Sequence, residues 1–174
     1  MVAKIDGSGL QTTGLINSLT AQNTTSGTSF TFSNIPSTAK RVTMSLYQIG
    51  LVGSDFLTIK LGTSGGTVTT GYTGAGISTT AGQGVSGYQN NQYSSGFALQ
   101  GGWISSSYKW SGNIILMNIT SNIWTLSGVI GADSTTATAE SGGGVTLSSA
   151  LTTLILGTNG GTTFNNGSVN VFYE

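Results

Sequence analysis

Ser29 to Tyr72, SFTFSNIPSTAKRVTMSLYQIGLVGSDFLTIKLGTSGGTVTTGY, holds the chain's single proline, three of its five basic residues and three successive strand patterns. Phe30 and Phe32 share one face of a strictly alternating run, and Ile35-Pro36-Ser37 then turns the chain, as proline does between strands rather than within one. Arg41 to Ile49 sets Val42, Met44 and Leu46 against Thr43, Ser45 and Tyr47. Asp55 to Leu61 repeats the device, with Leu57, Ile59 and Leu61 on one side and Phe56, Thr58 and Lys60 on the other. A period of two ending at glycine-rich turns is the mark of an antiparallel β meander.

Outward from this stretch the same grammar continues. Val68 to Tyr72 reads as a short strand, and Thr73 to Ser95 as a long loop of Gly, Ser, Thr, Asn and Gln punctuated by Tyr88 and Tyr93. Loops of that length in a compact domain are usually functional or disordered. Gly96 to Ile104 returns to strand, interrupted at Gly101-Gly102. Gly112 to Ile119, GNIILMNI, is the most apolar run and is assigned a central strand, with Asn122 to Ile130 as its hairpin partner across Thr120-Ser121-Asn122. Ala132 to Gly144 reads as a loop, followed by strands at 145–147, 151–156 and 168–173. Nine or ten such strands without a fixed repeat predict an all-β fold: a single antiparallel β-sandwich or jelly-roll-like domain over 28–174.

Residues 1–27 precede that domain. Val2, Ile5, Leu10, Leu15, Ile16 and Leu19 are scattered apolar positions among Thr, Asn and Gln. LINSLTAQ leaves both a helical turn and an extended segment open. The stretch is read as an arm for assembly or attachment, a frayed terminus being the alternative.

Composition narrows the chemistry. The chain has 174 residues, no cysteine and no histidine. It therefore has no disulfide, no thiolate, no imidazole ligand and no imidazole base. Five basic and five acidic residues cancel, and charged residues are only 6% of the chain, against about 25% in an average domain. Nothing in that balance attracts nucleic acid, and a surface with so little repulsion favours self-association. No apolar run reaches the ~20 residues of a membrane span, and the first residues lack the apolar core of a secretion signal.

The acids Asp6, Asp55, Asp133, Glu140 and Glu174 fall in no pattern that requires a carboxylate. Asp133 with Glu140 is the nearest approach to a glycosidase pair; two solvated charges are the plainer reading. The glycine groups at 62–66, 71–76 and 142–144 lack the lysine and following helix of a phosphate loop, so turn geometry explains them. No cofactor or metal is expected. Lys40-Arg41, the basic pair at a strand entry, suits a salt bridge or a subunit border. Tyr88, Tyr93, Trp103, Tyr108 and Trp110 lie in a polar stretch and supply flat faces for sugar rings beside amide hydrogen-bonding groups. The tryptophans serve equally well as plugs of the core or of an interface.

FSNIPSTAKRVTMSLYQIG followed by DFLTIKLGTSGGTVTTGY, Gly96-Phe97, the NIWTLSG run around Trp124, and GSVNVFYE at 167–174 together resemble a domain found at the carboxy-terminal ends of tailed-bacteriophage and prophage tail fibres. The resemblance covers about residues 28 to 174 and implies a virion appendage module, trimeric, that contacts the host surface or caps a fibre. Only about 27 residues precede it, where a fibre has a shaft and an attachment domain, so a short tip or spike protein, or a decoration of capsid or tail, is expected rather than a whole fibre. The expected function is thus a non-enzymatic virion structural protein, made in the host cytoplasm, binding host surface glycan as a fibre tip. A capsid decoration or head fibre protein is the alternative, and a polysaccharide-degrading enzyme the remote one. Expected partners are copies of itself, other tail or capsid proteins and host glycan, without nucleic acid or membrane insertion.

Overall fold

The computed structural model describes residues 4–6, 9–11, 15–81, 84–88, 94–101, 105–133 and 136–174, with backbone alone for 4–6, 9–11 and 84–88. No helix occurs among them. The strands are β1 (Lys4–Asp6), β2 (Gly9–Gln11), β3 (Asn17–Ser18), β4 (Gln22–Asn23), β5 (Ser29–Phe32), β6 (Arg41–Leu51), β7 (Leu57–Thr63) and β8 (Gly66–Thr67). There follow β9 (Thr73–Thr80), β10 (Gly84–Tyr88), β11 (Phe97–Ala98), β12 (Trp110–Thr120), β13 (Ile123–Ala132), β14 (Ala137–Thr146), β15 (Thr153–Thr158) and β16 (Phe164–Tyr173).

They form an antiparallel sandwich. The larger sheet runs β10-β9-β14-β13-β12-β6-β16-β3, with β4 also on β16; the smaller runs β11-β7-β15-β5, with β8 on β7. β1 and β2 pair with each other as a separate hairpin. Alternation does the packing: Val42, Met44, Ile114, Leu116, Val169 and Val171 of the large sheet and Leu57, Ile59, Leu61, Leu154 and Leu156 of the small one are all at most 1% exposed. Each such side chain contributes roughly 1.5–3 kcal/mol relative to exposure. The GNIILMNI run is central as expected, with β13 on one side and β6 on the other.

Three expectations are corrected. Val68 to Tyr72 is not a strand; β8 stops at Thr67 and Tyr72 turns inward, 3% exposed. The long loop from Thr73 contains β9 and β10, and the loop from Ala132 contains β14. These strands escaped the periodicity because their inward positions are small: Gly76, Ser78 and Thr80 on β9, Ala137, Ala139, Ser141 and Gly143 on β14. Small residues serve here because backbone, not side chain, fills the space. A Cβ at Gly76 would stand 2.8 Å from the Ala98 carbonyl oxygen, and one at Gly143 would strike the Thr73 carbonyl oxygen and come within 2.9 Å of the Gly74 Cα.

Residues 15–24 lie along the edge of the large sheet. β3 and β4 pair with β16, and the Leu19 amide donates to the Val171 carbonyl at 2.9 Å. Thr24 is fully buried; its amide donates to the Gly167 carbonyl at 2.9 Å and its hydroxyl to the Asn166 carbonyl at 2.7 Å. This segment thereby covers the open hydrogen-bonding edge of β16, the kind of edge that otherwise recruits foreign strands.

Candidate functional site

Two surfaces gather the candidate residues: the loop end that carries the aromatic residues, and the outer face of the large sheet. At the loop end, Trp110 is 2% exposed and opens β12 inside the core, so its ring is a packing residue; this corrects its assignment as a ligand contact. Tyr108 is half-buried, packs against the core and meets Trp110 edge-on at a centroid distance of 5.7 Å. Tyr93 and Trp103 lie outside the described residues, and of Tyr88 only the backbone, in β10, is described.

Around Tyr108 the described chain is polar and internally bonded. The Ser105 and Ser107 hydroxyls are 2.9 Å apart, the Lys109 ammonium donates to Asn165 Oδ1 at 3.3 Å, and the Asp133 amide donates to the Lys109 carbonyl at 3.1 Å.

Asp55, 8% exposed, is a device of this end that sequence reasoning passed over as a bare acid. Its Oδ1 accepts the Phe56 amide at 2.8 Å, and Oδ2 accepts the amides of Gly160 at 2.8 Å and Thr162 at 3.3 Å. One carboxylate thus holds the entry of β7 to the turn before β16. The signal available was Asp at a strand entry opposite the glycine turn 157–161, but the pairing is about a hundred residues apart in sequence and no local pattern reveals it.

The outer face of the large sheet is built by the other half of each alternation. Its register places Ile77, Glu140, Val129, Asn113, Ser45 and Asn170 in one row across six strands. The next row is Ala75, Gly142, Ser127, Ile115, Thr43, Phe172 and Ser18. A third carries Thr125, Met117 and Arg41. Val129 is 57% exposed, Met117 42% and Ile115 36%. Two shallow grooves, about 400 and 520 Å3, share Asn113 and Ile115; the first runs to Ile16, Phe172 and Glu174, the second to Val129 and Glu140. The Ser45 hydroxyl donates to Asn113 Oδ1 at 2.6 Å, and Arg41 pairs with Glu174 at 2.7 Å, as the basic pair at the strand entry led one to expect.

Of the arm positions, Ile16 is exposed beside the first groove, Leu15 is exposed, and Leu19 packs partly against the core. Ile5 and Leu10 are described by backbone alone, in β1 and β2, and Val2 lies outside the described residues.

Among the described residues no three acidic side chains gather as a metal site. Glu140 has Val129 and Ile77 as its cross-strand neighbours, and Asp133 is in the turn that ends β13, so the register sets no second carboxylate opposite Glu140. No helix among the described residues is long and apolar enough to cross a membrane. Comparison with protein-family models, with curated proteins and with solved structures found no match.

Proposed function

We propose that this chain is a non-enzymatic structural module of a bacteriophage virion, a short tail fibre or spike tip that meets the host surface through the loop end around Tyr108. Support comes from the coincidence of sequence and fold. The stretches that resemble tail-fibre modules supply β6, β7, β16 and the first half of β13, strands of both layers of the sandwich. The weakly charged surface and the scarcity of acids suit a protein that packs and adheres rather than one that hydrolyses. The proposed partners are further copies of the chain as a homotrimer, neighbouring tail proteins and a host surface glycan.

A capsid decoration role is the second reading, favoured by one observation: a sheet face with exposed Ile, Val and Met beside an ordered 15–24 segment. Electron cryomicroscopy of the intact particle separates the two. Density for this sandwich at a fibre tip or tail is the expected result, density on the head makes it a decoration protein, and a particle without it defeats both. At a fibre tip, Tyr108→Ala is expected to weaken adsorption of particles to host cells at least severalfold while the purified protein stays folded.

A further inference from the structure

We propose that the outer face of the nine-stranded sheet is covered by a second copy of this chain. The starting point is β12. Its run IILM, residues 114–117, is apolar at consecutive positions, the pattern of a strand buried on both faces. The sandwich core covers only one of them: Ile114 and Leu116 are fully buried, while Ile115 and Met117 face outward. Val129, Ile123 and Ile77 extend the same outward surface onto β13 and β9, and Phe172 extends it onto β16.

The opposite outer face, that of the small sheet, carries Thr31, Thr58, Lys60 and Thr153 around a single half-buried Ile155 and holds none of the strongly exposed large apolar side chains among the described residues. Apolar exposure is therefore concentrated on one side of the molecule, and a contiguous patch of this kind marks an interaction surface.

The chemistry of the patch selects the occupant. Its centre, Ile77, Ile115, Met117 and Val129, is aliphatic, and its flat rings, Phe172 and Tyr47, stand toward the β6–β16 side rather than over that centre, which suits a packed protein contact better than a sugar ring stacked on it. Its cation Arg41 is engaged by Glu174 at 2.7 Å, and the adjacent Lys40 by Asn118 at 3.3 Å, which leaves little for a phosphate backbone or an anionic lipid surface. A copy of the same chain meets no charge barrier, because the net charge is zero and the face holds both signs in Arg41, Glu140 and Glu174.

Size agrees. Six strands at ~4.8 Å spacing and six residue steps at ~3.4 Å outline a rectangle of about 24 by 20 Å. That is about 500 Å2 before side-chain relief is added, comparable with the ~800 Å2 per partner of a stable interface. The segment 15–24 does not cover the face; it runs along the β16 edge and leaves Ile16 beside the groove, where it would extend the same contact.

The inference rests on the self-association named in the proposed function and gives it a surface; single-chain mass would defeat both, whereas an assembly that leaves this face open defeats the inference alone. It is tested on the full chain by sedimentation and light scattering, with far-ultraviolet circular dichroism to verify folding. The wild type is expected at a multiple of its 17.6 kDa mass. Ile115→Lys with Val129→Lys is expected to weaken association at least tenfold, whereas Thr31→Lys on the small sheet leaves it unchanged. Because the chain has no cysteine, Ser127→Cys gives a second readout that does not depend on the charged variants folding. Its thiol should be protected from alkylation in the assembled protein, while a Thr31→Cys thiol reacts freely. A wild type that stays at single-chain mass overturns the proposal, whatever other protein covers the face. So does an oligomer in which the Ser127→Cys thiol is open.

Discussion

Asp55 and Tyr72 show how single polar side chains hold this fold where strands cannot. Removing the Asp55 carboxylate leaves the amides of Phe56, Gly160 and Thr162 without that acceptor near a buried site. Asp55→Ala should therefore destabilise by about 3 kcal/mol, as for a buried charge-assisted network, and Asp55→Asn by less, since one oxygen remains; chemical denaturation measures both. Tyr72 accepts the Leu61 amide at 2.7 Å and donates to the Val68 carbonyl at 3.1 Å, and its ring meets Phe97 edge-on at 4.9 Å. Burial pushes its phenol up to about 12, the Leu61 hydrogen bond opposing. A folded-state value above the ordinary 10 means that the unfolded chain loses this proton first. The corresponding stability is whole below pH 10 and is lost as pH rises toward 12, about 2 kcal/mol over that window. Tyr72→Phe should flatten the alkaline limb of a stability–pH curve, while lowering stability at neutral pH by about 1–3 kcal/mol through the unpartnered Leu61 amide. Neither role was readable beforehand, because an isolated Asp or Tyr looks the same whether it is solvated or clasped by a distant loop.

At the scale of the element, the hairpin β12–β13 and the strand β6 were readable because large apolar residues alternate with Ser and Thr. What alternation did not convey is where the ladders shift. Gln48 adopts φ 55° and Gly167 φ 101°, and the β6–β16 register slips on both sides of Asn166. Asn166 donates to the Gln48 carbonyl at 2.8 Å, and the Gln48 amide donates to the Ser111 hydroxyl at 2.9 Å, tying β16, β6 and β12 together at the irregularity. A Cβ at Gly167 would strike the carbonyl oxygens of Tyr47 and Gln48. Gly167→Ala should cost about 2–3 kcal/mol through the positive φ and this close approach. In a domain of this length that lowers the thermal midpoint by roughly 5–10 °C, measurable by calorimetry. β9 and β14 illustrate the opposite blind spot, since strands whose inward positions are Gly, Ala and Ser have no hydropathy period to read.

For the molecule as a whole, the amino-acid sequence by itself determined the class: a cysteine-free, histidine-free, weakly charged antiparallel β domain whose apolar alternation admits only a two-layer solution. It also marked β12 as central and Lys40-Arg41 as a pairing site, because both signals are local. Tertiary structure decided what depends on distant segments meeting. It buried Trp110 rather than presenting it, laid residues 15–24 along β16, and assembled Ile77 of β9, Ile115 and Met117 of β12 and Val129 of β13 into one exposed face. The physical reason is one of range. Periodicity states which side chains share a side of a strand, but only the hydrogen-bonded register of neighbouring strands states which sides become one surface, and only packing of the two sheets states which of those surfaces is left for a partner.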